Sequence, residues 1–152
     1  MMKKILITIF FTLFFNGCDY KPIYSSGDKN NFTIMNVSYQ GDQEINGLIN
    51  QKILRFRNTT SEKKYNLNIK SNYIKRSESK DSAGITTRYK LIASVNFEIT
   101  SKDLSKEIKI TKDFSMKNMS NEFDEKLYEN NIKDNLSKMI VNELIIYLNR
   151  LK

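Results

Sequence analysis

The segment from Arg88 to Ile99 alternates between apolar side chains and charged or polar ones. Because successive side chains of a β-strand point to opposite faces, this pattern predicts a strand with one buried face and one solvated face. Such a strand is typical of an antiparallel or mixed sheet that is covered on one side only. The apolar positions are Tyr89, Leu91, Ala93, Val95, Phe97 and Ile99.

Three other segments have the character of strands. Phe32 to Tyr39 is short and rich in β-forming residues, and Tyr65 to Tyr73 alternates between aromatic or aliphatic and polar side chains. Ile108 to Met116 predicts a last strand, in which Lys112 interrupts the apolar face; a bulge or an edge position would explain it. The polar residues from Ser77 to Gly84 are expected to form a connection between strands.

Two segments have the period of an α-helix. Asp42 is a candidate N-cap, and a single apolar stripe follows it as far as Phe56, before the stop signal Asn58-Thr59-Thr60-Ser61. The second helix is expected to run from about Phe123 almost to the C-terminus. Its predicted apolar face contains Phe123, Leu127, Ile132, Leu136, Ile140, Leu144 and Leu151.

The predicted order of elements is therefore β-α-β-β-β-α. Each helix has one wide apolar stripe and the sheet has one apolar face, so both helices should pack on that face. The fold class that follows is α+β, a two-layer sandwich of an antiparallel or mixed four-stranded sheet with two helices on one face. The opposite face of the sheet is expected to be polar and basic, and free for a ligand or partner.

The N-terminus has the order of a secretory signal. Lys3 and Lys4 precede the apolar run Ile5 to Phe15, which is too short to span a membrane, and Gly17-Cys18 closes it. A Gly-Cys pair here resembles the lipobox of bacterial lipoproteins, which predicts cleavage before Cys18 and acylation of its thiol, palmitate included. An ordinary signal peptide with an incidental cysteine is the alternative. The predicted organisation is a signal peptide at 1–17, a lipidated tether at 18–31 and a single domain at 32–152.

Composition narrows the function. The chain has no histidine and one cysteine, which removes histidine-based triads and histidine-ligated zinc, and a lipidated Cys18 leaves no thiol nucleophile. No Gly-rich phosphate loop or catalytic carboxylate pair stands out, so we expect no enzyme, no metal and no cofactor. The net charge of +8 favours acidic partners, although an AT-rich coding bias towards lysine is an equal explanation. Because the N-terminal signal predicts export, we do not expect nucleic acid to be a partner.

The chain resembles the family of the LPS-assembly lipoprotein LptE. The likeness rests on Gly17 to Tyr24, on Phe32 to Tyr39 leading to a helix that ends Leu54-Arg55-Phe56, on Thr87-Arg88-Tyr89-Lys90-Leu91, and on the ending Leu148-Asn149-Arg150-Leu151. The resemblance implies an outer-membrane lipoprotein that plugs the LptD β-barrel, assists its assembly and helps insert lipopolysaccharide. Asp19, directly after the cysteine, resembles an inner-membrane retention signal, so retention at the inner membrane stays open as an alternative.

Basic residues near the connection between the second and third strands are the candidates for contact with LPS phosphates. The alternative is that they are solvated strand positions that bind no ligand. The second function that remains open is a lipid-tethered periplasmic module that binds another anionic envelope component or another envelope protein. The candidate residues, of which Arg88 is the first choice because it lies in the family-like motif, are Arg88, Lys90, Lys75, Arg76 and Lys80.

Overall fold

The computed structural model describes residues 31–57 and 61–151 and confirms the predicted fold class. The signal peptide, Cys18, the tether as far as residue 30 and most of the predicted helix stop at 58–61 lie outside the described residues. In chain order the elements are β1 (Phe32–Gly41), α1 (Gln43–Ile53) with a 3-10 turn (Leu54–Phe56), β2 (Lys63–Lys80), β3 (Thr86–Thr100), β4 (Ser105–Lys117) and α2 (Glu122–Arg150).

The four strands form one mixed sheet in the order β1-β2-β3-β4. The first two strands are parallel, since α1 carries the chain back between them, and the other pairs are antiparallel. Lys112 lies opposite Ala93 in an unbroken register on the outer strand β4, so the edge position and not a bulge accounts for it. Its ammonium group pairs with Glu143 of α2.

Both helices cover the same face of the sheet and enclose one core. The alternating residues of β3 supply the centre of this core, and the stripe of α1 packs over β1 and β2. Asp42 caps α1 as predicted, because its Oδ1 accepts a hydrogen bond from the backbone N–H of Ile45 at 2.9 Å. Fully buried side chains include Phe32, Ile34, Ile45, Ile49, Ile53, Ile69, Leu91, Phe97 and Ile140.

Strand β2 is longer than the polarity of its second half predicts. Residues 77–80, which the sequence assigns to a connection, continue the ladder with β3 through two irregularities in register. Hydroxyl pairs replace apolar contacts there: Ser77 contacts Thr86 at 3.0 Å, and Ser79 contacts Thr87 at 2.8 Å. The true turn is therefore only the segment 81–85.

The first turns of α2 are rotated relative to the prediction. Phe123 and Leu127 are 74% and 54% exposed, so the assignment of these two residues to the buried face was wrong. Glu125 and Glu129 face the sheet instead, where Lys75 of β2 binds both. The buried apolar residues of α2 begin only at Ile132 and continue through Leu136, Ile140, Leu144 and Leu148.

The domain has two distinct ends. At the chain-entry end, β1 and β2 begin with Phe32 opposite Lys63, whose ammonium group donates to the carbonyl of Leu151 at the end of α2. At the hairpin end lie the turn 81–85 and the connection from β4 to α2. The 18 residues of β2 separate these ends by about 55 Å at roughly 3.3 Å per residue.

Candidate functional site

Four basic side chains form a cluster at the hairpin end of the sheet, on the face that the helices leave uncovered. Arg76 of β2 lies opposite Lys90 of β3, and Arg88 of β3 lies opposite Lys117 of β4. Like charges directly opposite each other in neighbouring strands are destabilising, so this arrangement costs the fold free energy. We call Arg76, Arg88, Lys90 and Lys117 the basic patch.

Two carboxylates offset part of this charge. Lys90 lies 2.9 Å from Asp113 and 3.9 Å from Glu78, and the hydrogen bond that Lys90 donates to Asp113 raises the pKa of Lys90. Arg88 reaches Glu78 only at 3.9 Å, and its side chain is 57% exposed. The guanidinium group of Arg88 therefore retains most of its donors for a ligand.

Lys80 lies beside the turn and is exposed, opposite Thr86. The turn itself is held by Asp81, whose Oδ1 accepts hydrogen bonds from the backbone N–H groups of Ala83 at 2.9 Å and Ile85 at 2.8 Å. This fixed turn holds Lys80 at the extremity of the hairpin, next to the basic patch in the fold.

Lys75 does not belong with the other candidates, because its side chain points to the helix-covered face. Its Nζ donates to Glu125 at 2.8 Å and to Glu129 at 2.9 Å, and it lies 4.5 Å from the ring centroid of Tyr89. Burial alone would lower the pKa of Lys75, but the hydrogen bonds to the two carboxylates outweigh it and raise the pKa. Lys75 anchors the start of α2 to the sheet.

The bonds of Lys75 belong to a larger polar network. The Tyr73 hydroxyl donates to Glu129 at 2.8 Å, and Lys133 binds both Glu129 and Glu44 at the start of α1. Burial is the main cause of the raised pKa of Tyr73, and the hydrogen bond to Glu129 adds to it. This network joins α2 and β2 to the beginning of α1.

The rest of the uncovered face is mostly polar, with one apolar exception: Ile74, which is 45% exposed, lies opposite Ile92 beside the pair of Arg76 and Lys90. The amide of Asn36 donates to Asn66 at 2.9 Å, the Ser38 hydroxyl donates to Asn68 at 3.0 Å, and Asn68 donates to Glu98 at 3.2 Å. These bonds tie β1, β2 and β3 together across the surface. A shallow cavity of about 430 Å³ lies here, lined by Gln40, Lys70, Asn96, Ser105 and Glu107 among others.

Metal-binding clusters and membrane-spanning helices are two further features that the described part of the chain lacks. Within residues 31–57 and 61–151, no group of three or more acidic side chains and cysteines is placed to hold a metal ion. No helix in the same residues is long and apolar enough to cross a membrane.

The patch has the chemistry of an anion-binding surface. Arginine and lysine bind phosphate through charge-assisted hydrogen bonds, and the guanidinium fork can do so in a bidentate manner. The structure brings Arg76, Arg88 and Lys90 together, leaves Lys80 close by and separates Lys75 from them. Sequence reasoning missed Lys117, because only the register between β3 and β4 reveals that it lies opposite Arg88.

The sequence matches no family model, and no curated protein resembles it significantly. Among solved structures, rare lipoprotein B from Shewanella oneidensis has a TM-score of 0.52 and 14% identity, covering 72% of this chain and 92% of that chain. An uncharacterized lipoprotein B from Nitrosomonas europaea has a TM-score of 0.52 and 15% identity, covering 78% of this chain and 84% of that chain. These likenesses show a shared fold.

Proposed function

We propose that this protein is a lipid-anchored protein of the bacterial envelope that acts as the plug subunit of the LPS translocon in the outer membrane. In this role it assists the assembly of the LptD β-barrel, occupies the barrel and contacts lipopolysaccharide during insertion. Cys18 carries the anchor. The lipobox-like Gly17-Cys18 pair and the LptE-like motif around Arg88 support this proposal, as does a fold shared with two solved lipoproteins.

The observation that carries the proposal is the uncovered face of the sheet. A protein inside an outer-membrane barrel meets a polar wall, so it needs a largely polar surface on the side that faces this wall. Here asparagine, serine and glutamate side chains form hydrogen bonds across three strands, and the basic patch follows at the hairpin end. Such a surface suits contact with a polar lumen and with anionic phosphates.

The ends of the domain suit the same role. The chain that carries Cys18 enters at Phe32, whereas the basic patch lies near the other end of β2, about 43–53 Å away at roughly 3.3 Å per residue. A domain held at a membrane surface through Cys18 could therefore present its cations deep in a barrel. Lys80 and the basic patch are the groups that we assign to LPS phosphates.

Affinity purification of the full chain from detergent-solubilised envelopes tests the proposal. We expect a single large outer-membrane β-barrel to co-purify in a stoichiometric complex, and Cys18→Ser to lower its yield by preventing anchoring. Purification of a well-folded, membrane-anchored protein without a barrel would contradict the proposal. That result would favour a lipid-tethered module for another anionic envelope component.

A further inference from the structure

A second group of cations lies between the two helices, near the end at which the chain enters the domain. A cleft of about 280 Å³ is lined there by Lys52 and Arg55 from the end of α1 and by Lys138 of α2. Phe56, next to Arg55, stacks on Phe32, the first residue of β1, with the ring centroids 5.9 Å apart. The three cations, which we call the helix-side cations, therefore lie close to the point where the N-terminal segment joins the domain.

The charge of the helix-side cations is mostly unbalanced. Lys52 forms an ion pair with Asp134 of α2, but in the described part of the chain neither Arg55 nor Lys138 forms an ion pair. By contrast, Lys133, on the same side of the sheet, binds two carboxylates. Three cations thus share one carboxylate around this cleft, and both unpaired cations are exposed to solvent.

The guanidinium group of Arg55 is held in place without being neutralised. Its central carbon lies 4.7 Å from the centroid of the Phe56 ring, which is a cation–π contact. Such a contact restricts the side chain but leaves the N–H donors of the guanidinium edge available. An anion at the cleft would therefore meet a partly preorganised arginine.

The rest of the lining combines amide groups with apolar surface. Val141, the one apolar residue among those that line the cleft, is 1% exposed, so the aliphatic stems of the longer side chains supply the apolar surface. Gln51 and Asn142 add amide donors and acceptors. Cations beside amides and aliphatic stems suit a phosphate that is joined to a less polar glycerol ester, which is the chemistry of a phospholipid headgroup.

We propose that the helix-side cations are a docking surface for anionic phospholipid headgroups of the membrane in which Cys18 is anchored. This inference rests on the lipid anchor of the proposed function and concerns the anchored protein before it engages a barrel. Cys18 and Phe32 are 14 residues apart, which is at most about 50 Å at roughly 3.6 Å per residue. The anchor therefore keeps the cleft near the membrane surface, where lysine and arginine side chains are attracted to anionic lipid.

The test uses the acylated protein held in lipid vesicles by its own anchor. A fluorophore is attached to Asn149→Cys, because acylation of Cys18 leaves an introduced cysteine as the one free thiol of the chain. Asn149 lies about three turns beyond Lys138 on the same face of α2 and is not among the residues that line the cleft. Lipids that carry a quencher on the headgroup then report how close this part of the domain lies to the membrane.

We expect quenching to be at least about twofold stronger in vesicles that contain phosphatidylglycerol than in pure phosphatidylcholine vesicles. The double variant Arg55→Glu, Lys138→Glu should lower it to the level of pure phosphatidylcholine, with a urea midpoint near that of the wild type because both residues are exposed. Lys109→Glu, Lys126→Glu changes the net charge equally at exposed positions outside the cleft. This matched control should keep the stronger quenching.

Salt gives a second readout that needs no charge reversal. In about 0.5 M NaCl the difference between the two kinds of vesicle should vanish, because the Debye length falls to roughly 4 Å. Equal quenching in both vesicles at low salt, a difference that persists in high salt, or full quenching of the double variant would overturn the docking surface and leave the anchor in place. A protein that carries no acyl group on Cys18 and does not stay on membranes would overturn the anchoring in the proposed function, and this inference with it.

Discussion

Lys75 illustrates how one residue changes role once its direction is known. In the sequence it is one of several cations near a hairpin, but its place opposite the buried Leu91 turns its side chain towards α2. There it meets Glu125 and Glu129, both of which are mostly buried. A lysine held by two carboxylates has few donors left for a phosphate, so we assign Lys75 to the fold and not to the basic patch.

The two glutamates should make stability depend on pH. The hydrogen bond from Lys75 is the largest cause of the lowered pKa of Glu125. For Glu129, burial raises the pKa, but the hydrogen bonds from Lys75 and Tyr73 outweigh it, so the pKa is again lowered. A carboxyl group whose pKa is lowered by folding stabilises the fold above its unfolded value of about 4.3, and this contribution disappears as the pH falls through the folded value.

We therefore expect the urea midpoint of the wild-type protein to fall as the pH decreases below about 4.3. The double variant Glu125→Gln, Glu129→Gln should be less stable at pH 7 by about 1–3 kcal/mol, because Lys75 loses both charged partners. Its stability should also decrease less on acidification. Urea denaturation at neutral and acidic pH measures both effects, and parallel acid profiles of the two proteins would contradict the assignment.

At the scale of elements, the junction between β1 and α1 depends on close backbone contact. Gly41 has a φ of +92°, and a Cβ atom there would lie 1.9 Å from the carbonyl oxygen of Ser71. The same contact region holds the start of α1, since the Ser71 carbonyl accepts from the N–H of Asp42 and the Ser71 hydroxyl donates to the Asp42 carbonyl. Gly84, in the hairpin turn, has a φ of +81° but open space around it.

Comparing variants of these two glycines distinguishes backbone strain from a steric collision. Gly84→Ala should cost about 1–2 kcal/mol, the penalty of a left-handed conformation for an L-residue. Gly41→Ala carries the same penalty plus a backbone collision, so we expect it to lower the free energy of unfolding by clearly more, on the order of 3 kcal/mol or above. Chemical denaturation of both variants tests this, and equal losses would show that the approach to Ser71 is not tight.

The sequence predicted helices and strands well where one physical effect, such as burial of one face or a helix cap, determines the structure. Alternation that is interrupted only at Ile92 defines β3, because one face is buried from Leu91 to Ile99, and the Asp42 cap marks the start of α1. The second half of β2 was missed since its ladder continues with hydroxyl pairs and no apolar face. The orientation of Phe123 and Leu127 was wrong because apolar period alone does not register the attraction of Glu125 and Glu129 to Lys75.

The candidate site was predicted only in part for a related reason. Spacing along β2 and β3 is enough to group Arg76, Arg88 and Lys90 near one hairpin. Lys117 joins them through the register of a strand more than 25 residues away in sequence, and the facing direction of Lys75 depends on the parity of its pairing. Both are tertiary facts that local pattern does not contain.

At the scale of the whole molecule, the length of the sheet keeps the chain-entry end apart from the basic patch. The chain-entry end gathers the start of β1, the turn between β3 and β4 and the end of α2, whereas the basic patch and Lys80 lie at the hairpin end. The basic patch thus lies away from the end at which a lipid anchor would join the domain. In the proposed plug, lipopolysaccharide should meet the hairpin end and not the chain-entry end.

A pair of photo-crosslinking positions tests this polarity in the purified complex. A crosslinker at Ala83, in the hairpin turn, should label lipopolysaccharide, whereas one at Lys102, in the turn between β3 and β4 at the opposite end, should not. Adding Arg88→Glu to the Ala83 protein should reduce labelling at least tenfold, since one charge-assisted contact contributes roughly 1.5–3 kcal/mol. Lys64→Glu, an equal change of charge on an exposed residue near the chain-entry end, should leave the label unchanged. Equal labelling from Ala83 and Lys102 would mean that the basic patch does not direct lipopolysaccharide, because neither the distance along β2 nor the position of Arg88 would then affect where the ligand binds.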